Sequence, residues 1–175
     1  MRRVAGFTLV ELVVVMFMLV VMMAVAMPSF VKMQESSSLR ASAATMMATL
    51  RYARSMAVNR RVEVRLMFGE DYRSFHTESQ RPTELGDVQF APERTSLGRE
   101  RTLPVGISLA LTKGVSQEDE HLLAFHPNGS ADTAVLTLAN RNGRKLFVTL
   151  HPTTGRVQIQ SDESKVAHMF TLEGR

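Results

Sequence analysis

The chain has 175 residues, 21 Lys and Arg against 17 Asp and Glu, and a formal net charge of +4. That balance is too mild to mark a nucleic-acid binder by charge alone. Lacking cysteine, the chain has no disulfide framework, no thiol chemistry and no zinc ribbon, and its redox compartment is not readable from thiols.

Arg2 and Arg3 precede an apolar run from Phe7 to Met27, interrupted only by Thr8 and Glu11. About 20 such residues suffice for a helix to cross the hydrocarbon layer, so residues 7–27 are expected to span a membrane. The basic flank keeps the amino terminus in the cytoplasm and sends the long remainder outside. A secretory signal is the ordinary rival, but its apolar region is shorter and carries no glutamate. A plain anchor would leave Glu11 idle, whereas a carboxylate in a spanning segment usually marks a function. A cut between Gly6 and Phe7 would place a new ammonium group one helical turn before Glu11 and supply its counter-ion.

Gly6 followed by Phe7-Thr8-Leu9-Val10-Glu11, behind a short basic leader, resembles the signature of type IV pilins and type II secretion pseudopilins. The resemblance implies that residues 1–6 are a leader removed by a prepilin peptidase. It also implies that Phe7 becomes the N-methylated terminus and that Glu11 is the assembly glutamate of the motif. Other pilins or pseudopilins are then the expected partners through the N-terminal helix, in the inner membrane, with the C-terminal domain in the periplasm. Removing Arg2 and Arg3 takes the formal charge from +4 to +2.

Pro28 lacks the N–H that would bond the carbonyl of Ala24, which predicts a kink or local melting there. Residues 28–61 then read as an amphipathic helix continuing into the globular part. Leu39, Ala43, Met46, Met47, Leu50, Ala53 and Ala57 recur at threes and fours, and Arg40, Arg51, Arg54 and Arg60 lie mostly elsewhere. Most of the 12 methionines fall between Met16 and Met56, where flexible side chains at helical spacing are packing material.

From Arg61 the period changes to two. Val62, Val64, Leu66 and Phe68 alternate with Arg61, Glu63, Arg65 and Met67 as in a half-buried strand. A second strand over residues 72–76 can pair with it across Gly69-Glu70-Asp71. Residues 77–104 read as a long loop broken by one short strand near 87–91, made locally basic by Arg94, Arg99 and Arg101. Its scattered charges are ordinary solvated surface, with contact to a neighbouring subunit, an exported protein or DNA as the sharper reading.

Further strands are expected over residues 105–111, 122–126, 134–139, 145–150, 156–160 and 166–172. Asn128-Gly129, Asn142-Gly143 and Thr154-Gly155 supply turns. Short strands with no helix between them imply antiparallel pairing. The fold class is therefore α+β: a long helix, transmembrane and then amphipathic, packed on an antiparallel β domain over residues 62–175.

The run Phe125-His126-Pro127-Asn128-Gly129 together with Thr154-Gly155-Arg156-Val157 resembles the C-terminal half of the GspH/FimT-type domain. That implies a minor pseudopilin of a type II secretion system, working in protein export. The alternative is a minor type IV pilin of the FimT kind, acting in pilus initiation or in DNA binding and uptake. The absence of cysteine fits a minor rather than a major subunit.

No enzyme is expected. His76, His121, His126, His151 and His168 show no metal-ligand spacing, and no nucleophile elbow or phosphate-cradling glycine loop is present. Glu118-Asp119-Glu120 is contiguous and lacks the alternating oxygen ligands of a calcium loop, so neither metal nor cofactor is anticipated.

Overall fold

A computed structural model describes residues 7–82, 87–113 and 120–163, without the side chains of 25–32 and 113. One helix, α1 (Leu9–Arg60), takes 52 residues and at 1.5 Å per residue extends about 78 Å. It is assigned without a break through Pro28, so the backbone resumes its ladder around the missing donor.

The helix ends at Arg61, which takes left-handed dihedrals (φ 56°, ψ 38°) and caps Ala57 through its N–H. Val62 N–H reaches the same carbonyl at 3.2 Å. Those two bonds satisfy the end of the ladder and turn the chain into the sheets.

Among the described residues nine strands follow: β1 (Val64–Phe68), β2 (Ser74–Pro82), β3 (Val88–Pro92), β4 (Arg101–Thr102), β5 (Ile107–Lys113), β6 (Leu122–Phe125), β7 (Ala134–Asn140), β8 (Lys145–Leu150) and β9 (Val157–Gln160). They form two antiparallel sheets. One runs β3-β2-β1-β6, with β4 also paired to β2, and the other runs β5-β7-β8-β9. The chain alternates between them, since β5 belongs to the second sheet and β6 returns to the first. That return pairs Val64 with Phe125 across a long sequence separation.

The sequence reading places β2 too short. Its strand continues to Pro82, because Glu78, Gln80 and Pro82 find antiparallel partners in β3 at Pro92, Phe90 and Val88. The stretch read as a long loop from residue 77 therefore begins as sheet, and β4 is a further strand within it. The strand expected over residues 166–172 lies outside the described residues.

One face of α1 packs on both sheets. Ala43, Met46, Leu50, Ala53 and Ala57 are fully buried or nearly so, and Leu39 is 3% exposed. Against them lie Val64 and Leu66 of β1, Leu123 and Phe125 of β6, Leu136 and Leu138 of β7, and Val148 and Leu150 of β8. Ser42 and Thr49 share the buried face. Short side chains there let the helix approach the sheets closely, as interiors packed near crystal density require.

At two of the hairpin turns the backbone conformation calls for glycine. Gly143 (φ 75°) closes the β7–β8 hairpin, and Gly155 (φ 57°) closes β8–β9. Both adopt a region that L residues enter only at a cost.

Candidate assembly interface

The first turn of α1 is built by Thr8 and Glu11. Thr8 is extended (φ −84°, ψ 149°), and its Oγ1 accepts from the Glu11 N–H at 3.2 Å. The same hydroxyl donates to Glu11 Oε2 at 3.4 Å, while Leu12 N–H donates to the Thr8 carbonyl at 3.2 Å. Thr-x-x-Glu is the spacing of a capping box, with one partner satisfying an orphan donor and the other placing negative charge at the positive end of the helix dipole. The sequence carries this signal, and the reading of Glu11 as an assembly residue passed over its local role as a cap.

From Phe7 to Ala24 every described side chain is exposed. Phe7 and Leu9 are each 78% exposed, Phe17 67% and Met22 71%. A helix that is apolar all round needs lipid or other apolar helices about it, since exposed patches of this extent are rare on monomeric soluble proteins. Among the described residues no helix is long and apolar enough to cross a membrane. Within the apolar run the described side chains reach Ala24, and the run itself continues in the sequence to Met27. Gly6 lies outside the described residues, and Pro28 is placed only as helical backbone.

Farther along the helix, Glu35 and Ser36 touch the domain. Glu35 accepts a hydrogen bond from Asn142 Nδ2 in the β7–β8 turn, and Ser36 Oγ accepts from Arg144 Nη1 at 2.8 Å.

The polar stretch after β3 is anchored rather than loosely solvated. Glu93 is only 5% exposed; it accepts from Ser79 Oγ at 2.6 Å and from Arg60 Nη1 at 2.8 Å, and Arg81 Nη2 stands 3.7 Å away. Burial alone would raise its carboxyl, but the Ser79 hydrogen bond and the two guanidinium groups together hold it below the usual range. Glu93 N–H also donates to the Thr77 carbonyl at 2.8 Å, and Thr95 Oγ1 donates to Tyr52 Oη at 2.8 Å. The carboxylate thereby ties the end of α1 to β2. Sequence reasoning missed it because a glutamate in a polar, arginine-rich run carries no mark of burial.

Arg101 Nη2 donates to the Ser96 carbonyl within the same stretch. Arg94, Arg99 and Arg101 do not converge on one pocket; Arg99 and Arg101 line a groove beside Ser38 and Ser42, whereas Arg94 lies beside Arg81. Of the histidines, His76 contacts Glu78 at 3.2 Å, and His121 stacks on Tyr72 with ring centroids 4.8 Å apart. Among the described residues no three His, Cys, Asp or Glu side chains gather as metal ligands would.

Comparison with known proteins places this architecture. Residues 1–27 match the prokaryotic N-terminal methylation motif, and residues 42–162 match the type II transport protein GspH family. In fold, the chain is similar to the minor pseudopilin EpsH of the Vibrio cholerae type 2 secretion system (15% identity, TM-score 0.56, 71% of this chain and 97% of that one). It is similar to Escherichia coli GspH (14% identity, TM-score 0.55, 74% and 92%). It is also similar to the type IV minor pilin FimU of Pseudomonas aeruginosa (17% identity, TM-score 0.51, 72% and 90%). A search of curated proteins found no match. The methylation motif and the family point to anchoring in the inner membrane with the domain in the periplasm, and the family is structural rather than catalytic. A methylation motif on a bare apolar helix, joined to a domain matched over most of its length, leads to one assignment: the chain belongs to the type II transport protein GspH family.

Proposed function

We propose that this protein is a minor pseudopilin that enters the periplasmic pseudopilus of a type II secretion system after cleavage between Gly6 and Phe7. The observation that carries the reading is the bare apolar helix from Phe7 to Ala24, exposed along its length, whereas the first buried apolar side chain of the helix among those described is Leu39. Residues 7–27 cross the inner membrane once, with the leader cytoplasmic, until the subunit is drawn into the filament. A prepilin peptidase removes residues 1–6 and methylates the Phe7 amine. Apolar packing between helices supplies the attraction. Glu11, already poised at the helix start by Thr8, sets the register by meeting a Phe7 amine, since a carboxylate left unpaired in an apolar surrounding is costly.

Fold likeness to FimU keeps a second reading in view, a minor pilin at the start of a type IV pilus, with DNA as a ligand of that reading only. The test is cysteine crosslinking of the full chain to the pseudopilins of its host in cells. Incorporation alongside them supports the secretion assignment. Incorporation only into a surface pilus overturns it.

A further inference from the structure

A cationic hollow sits on the flank of the domain. Arg51 and Arg54 are three residues apart on α1 and so are neighbours on one helix face. The β8–β9 turn sets Thr154, Gly155 and Arg156 beside them, and with Val157 these residues line an open hollow of about 460 Å³. The approach is close, because a Cβ at Gly155 would lie 2.7 Å from Cδ and Nε of Arg54. Arg54 Nε donates to the Gly129 carbonyl at 3.3 Å, which holds the guanidinium in place between two turns. Glu63, Glu78, Glu93 and Glu163 form their ion pairs elsewhere on the domain. Among the described residues no carboxylate lines the hollow, and gathering three guanidinium groups in this way costs repulsion that a bound anion would relieve.

We propose that this hollow binds a carboxylate presented by another protein, either an Asp or Glu side chain or a chain terminus. Arginine forks match carboxylate oxygens in pairs, and the Thr154 hydroxyl adds a further donor at the rim. A lipid headgroup does not fit the position: Arg51 lies 24 residues beyond Met27, about 36 Å along the helix from the end of the apolar run. Nucleic acid fits poorly too, since the lining has no aromatic ring for a base to stack on and the cations form one compact cluster rather than a track. The proposal goes beyond filament entry and does not depend on it.

The test uses the full chain in detergent micelles and a fluorescein-labelled glutamate-rich peptide, with a glutamine-rich counterpart, followed by anisotropy. The glutamate peptide should bind and the glutamine peptide should not. Replacing Arg51→Gln together with Arg156→Gln should weaken binding about tenfold or more, given the strength of charge-assisted hydrogen bonds. Arg99→Gln, on a different groove, should leave binding unchanged, and unaltered melting of both variants shows that the fold is kept. The proposal is overturned by absence of peptide binding or by equal loss in Arg99→Gln. Tighter binding of single-stranded DNA that disappears in the double variant also overturns it.

Discussion

The hydroxyl of Ser79 on β2 stands 2.6 Å from the carboxylate of Glu93, which follows β3 and is buried to 5% exposure. With Arg60 on the same oxygen, the bond joins the last turn of the helix to the first sheet. Because the folded pKa of Glu93 lies below the unfolded value of 4.5, its contribution is complete above that value and is lost as pH falls through the folded pKa. Glu93→Gln should destabilise by about 1–3 kcal/mol at neutral pH. The gap between variant and parent should close in acid. Urea unfolding at a series of pH values checks this, and a gap that does not shrink as the pH falls below the ordinary carboxylate range contradicts it.

Gly143 and Gly155 both have positive φ, yet alanine should cost more at one than at the other. At Gly143 an added Cβ meets nothing within 4 Å, so the penalty is the left-handed backbone alone, roughly 1–2 kcal/mol. At Gly155 it would lie 2.6 Å from the Gly129 carbonyl oxygen as well. Gly155→Ala should therefore give the larger loss in chemical denaturation. Equal midpoints for the two variants would remove the argument.

Arg61 carries the helix stop at φ 56° with a side chain that disfavours it. Arg61→Gly should raise stability by up to about 1 kcal/mol, less whatever the more flexible unfolded chain returns. A thermal melt decides the sign.

Leu50 is completely buried on the helix face that meets both sheets. Leu50→Ala should destabilise by about 2–5 kcal/mol, the range for a core leucine that leaves a cavity. Arg40→Ala, exposed on the same helix, should change stability by less than about 0.5 kcal/mol. Comparable losses at the two positions would mean that the packed face is wrongly assigned.

Glu11→Ala should be inserted and processed but should fail to join the filament in the crosslinking assay. Gly6→Leu should leave a precursor that still carries residues 1–6, visible by mass spectrometry of the intact chain. Thr8→Ala, which removes only the cap, should cost about 1 kcal/mol of local helix stability and should still be incorporated. If Thr8→Ala and Glu11→Ala fail alike, the role of Glu11 reduces to holding the first turn.

Much of the fold was legible because it rests on local periodicity. The threes and fours from Leu39 to Ala57 and the alternation through Phe68 depend on nothing beyond the next turn or residue, and those side chains face the core. The glycines of Asn142-Gly143 and Thr154-Gly155 mark hairpins for the same reason. The division into two sheets was not legible, because Val64 meets Phe125 through a pairing that no local pattern announces. Nor was the extent of β2: Glu78, Gln80 and Arg81 look like loop in sequence, and only β3 beside them makes them strand. At the interface, the motif around Phe7 and Glu11 was readable, whereas the buried Glu93 and the arginine hollow exist only once α1 and the turns come together.

The first buried apolar side chain of the helix among those described is Leu39, so the stretch from Leu9 to Ala24 adds nothing to the packed core of the chain that carries it. Its sequence answers to outside company alone. Apolar substitutions there should pass unnoticed in the unfolding of the isolated domain and register in its surroundings, which divides the protein into one part judged by its own folding and another judged by its neighbours.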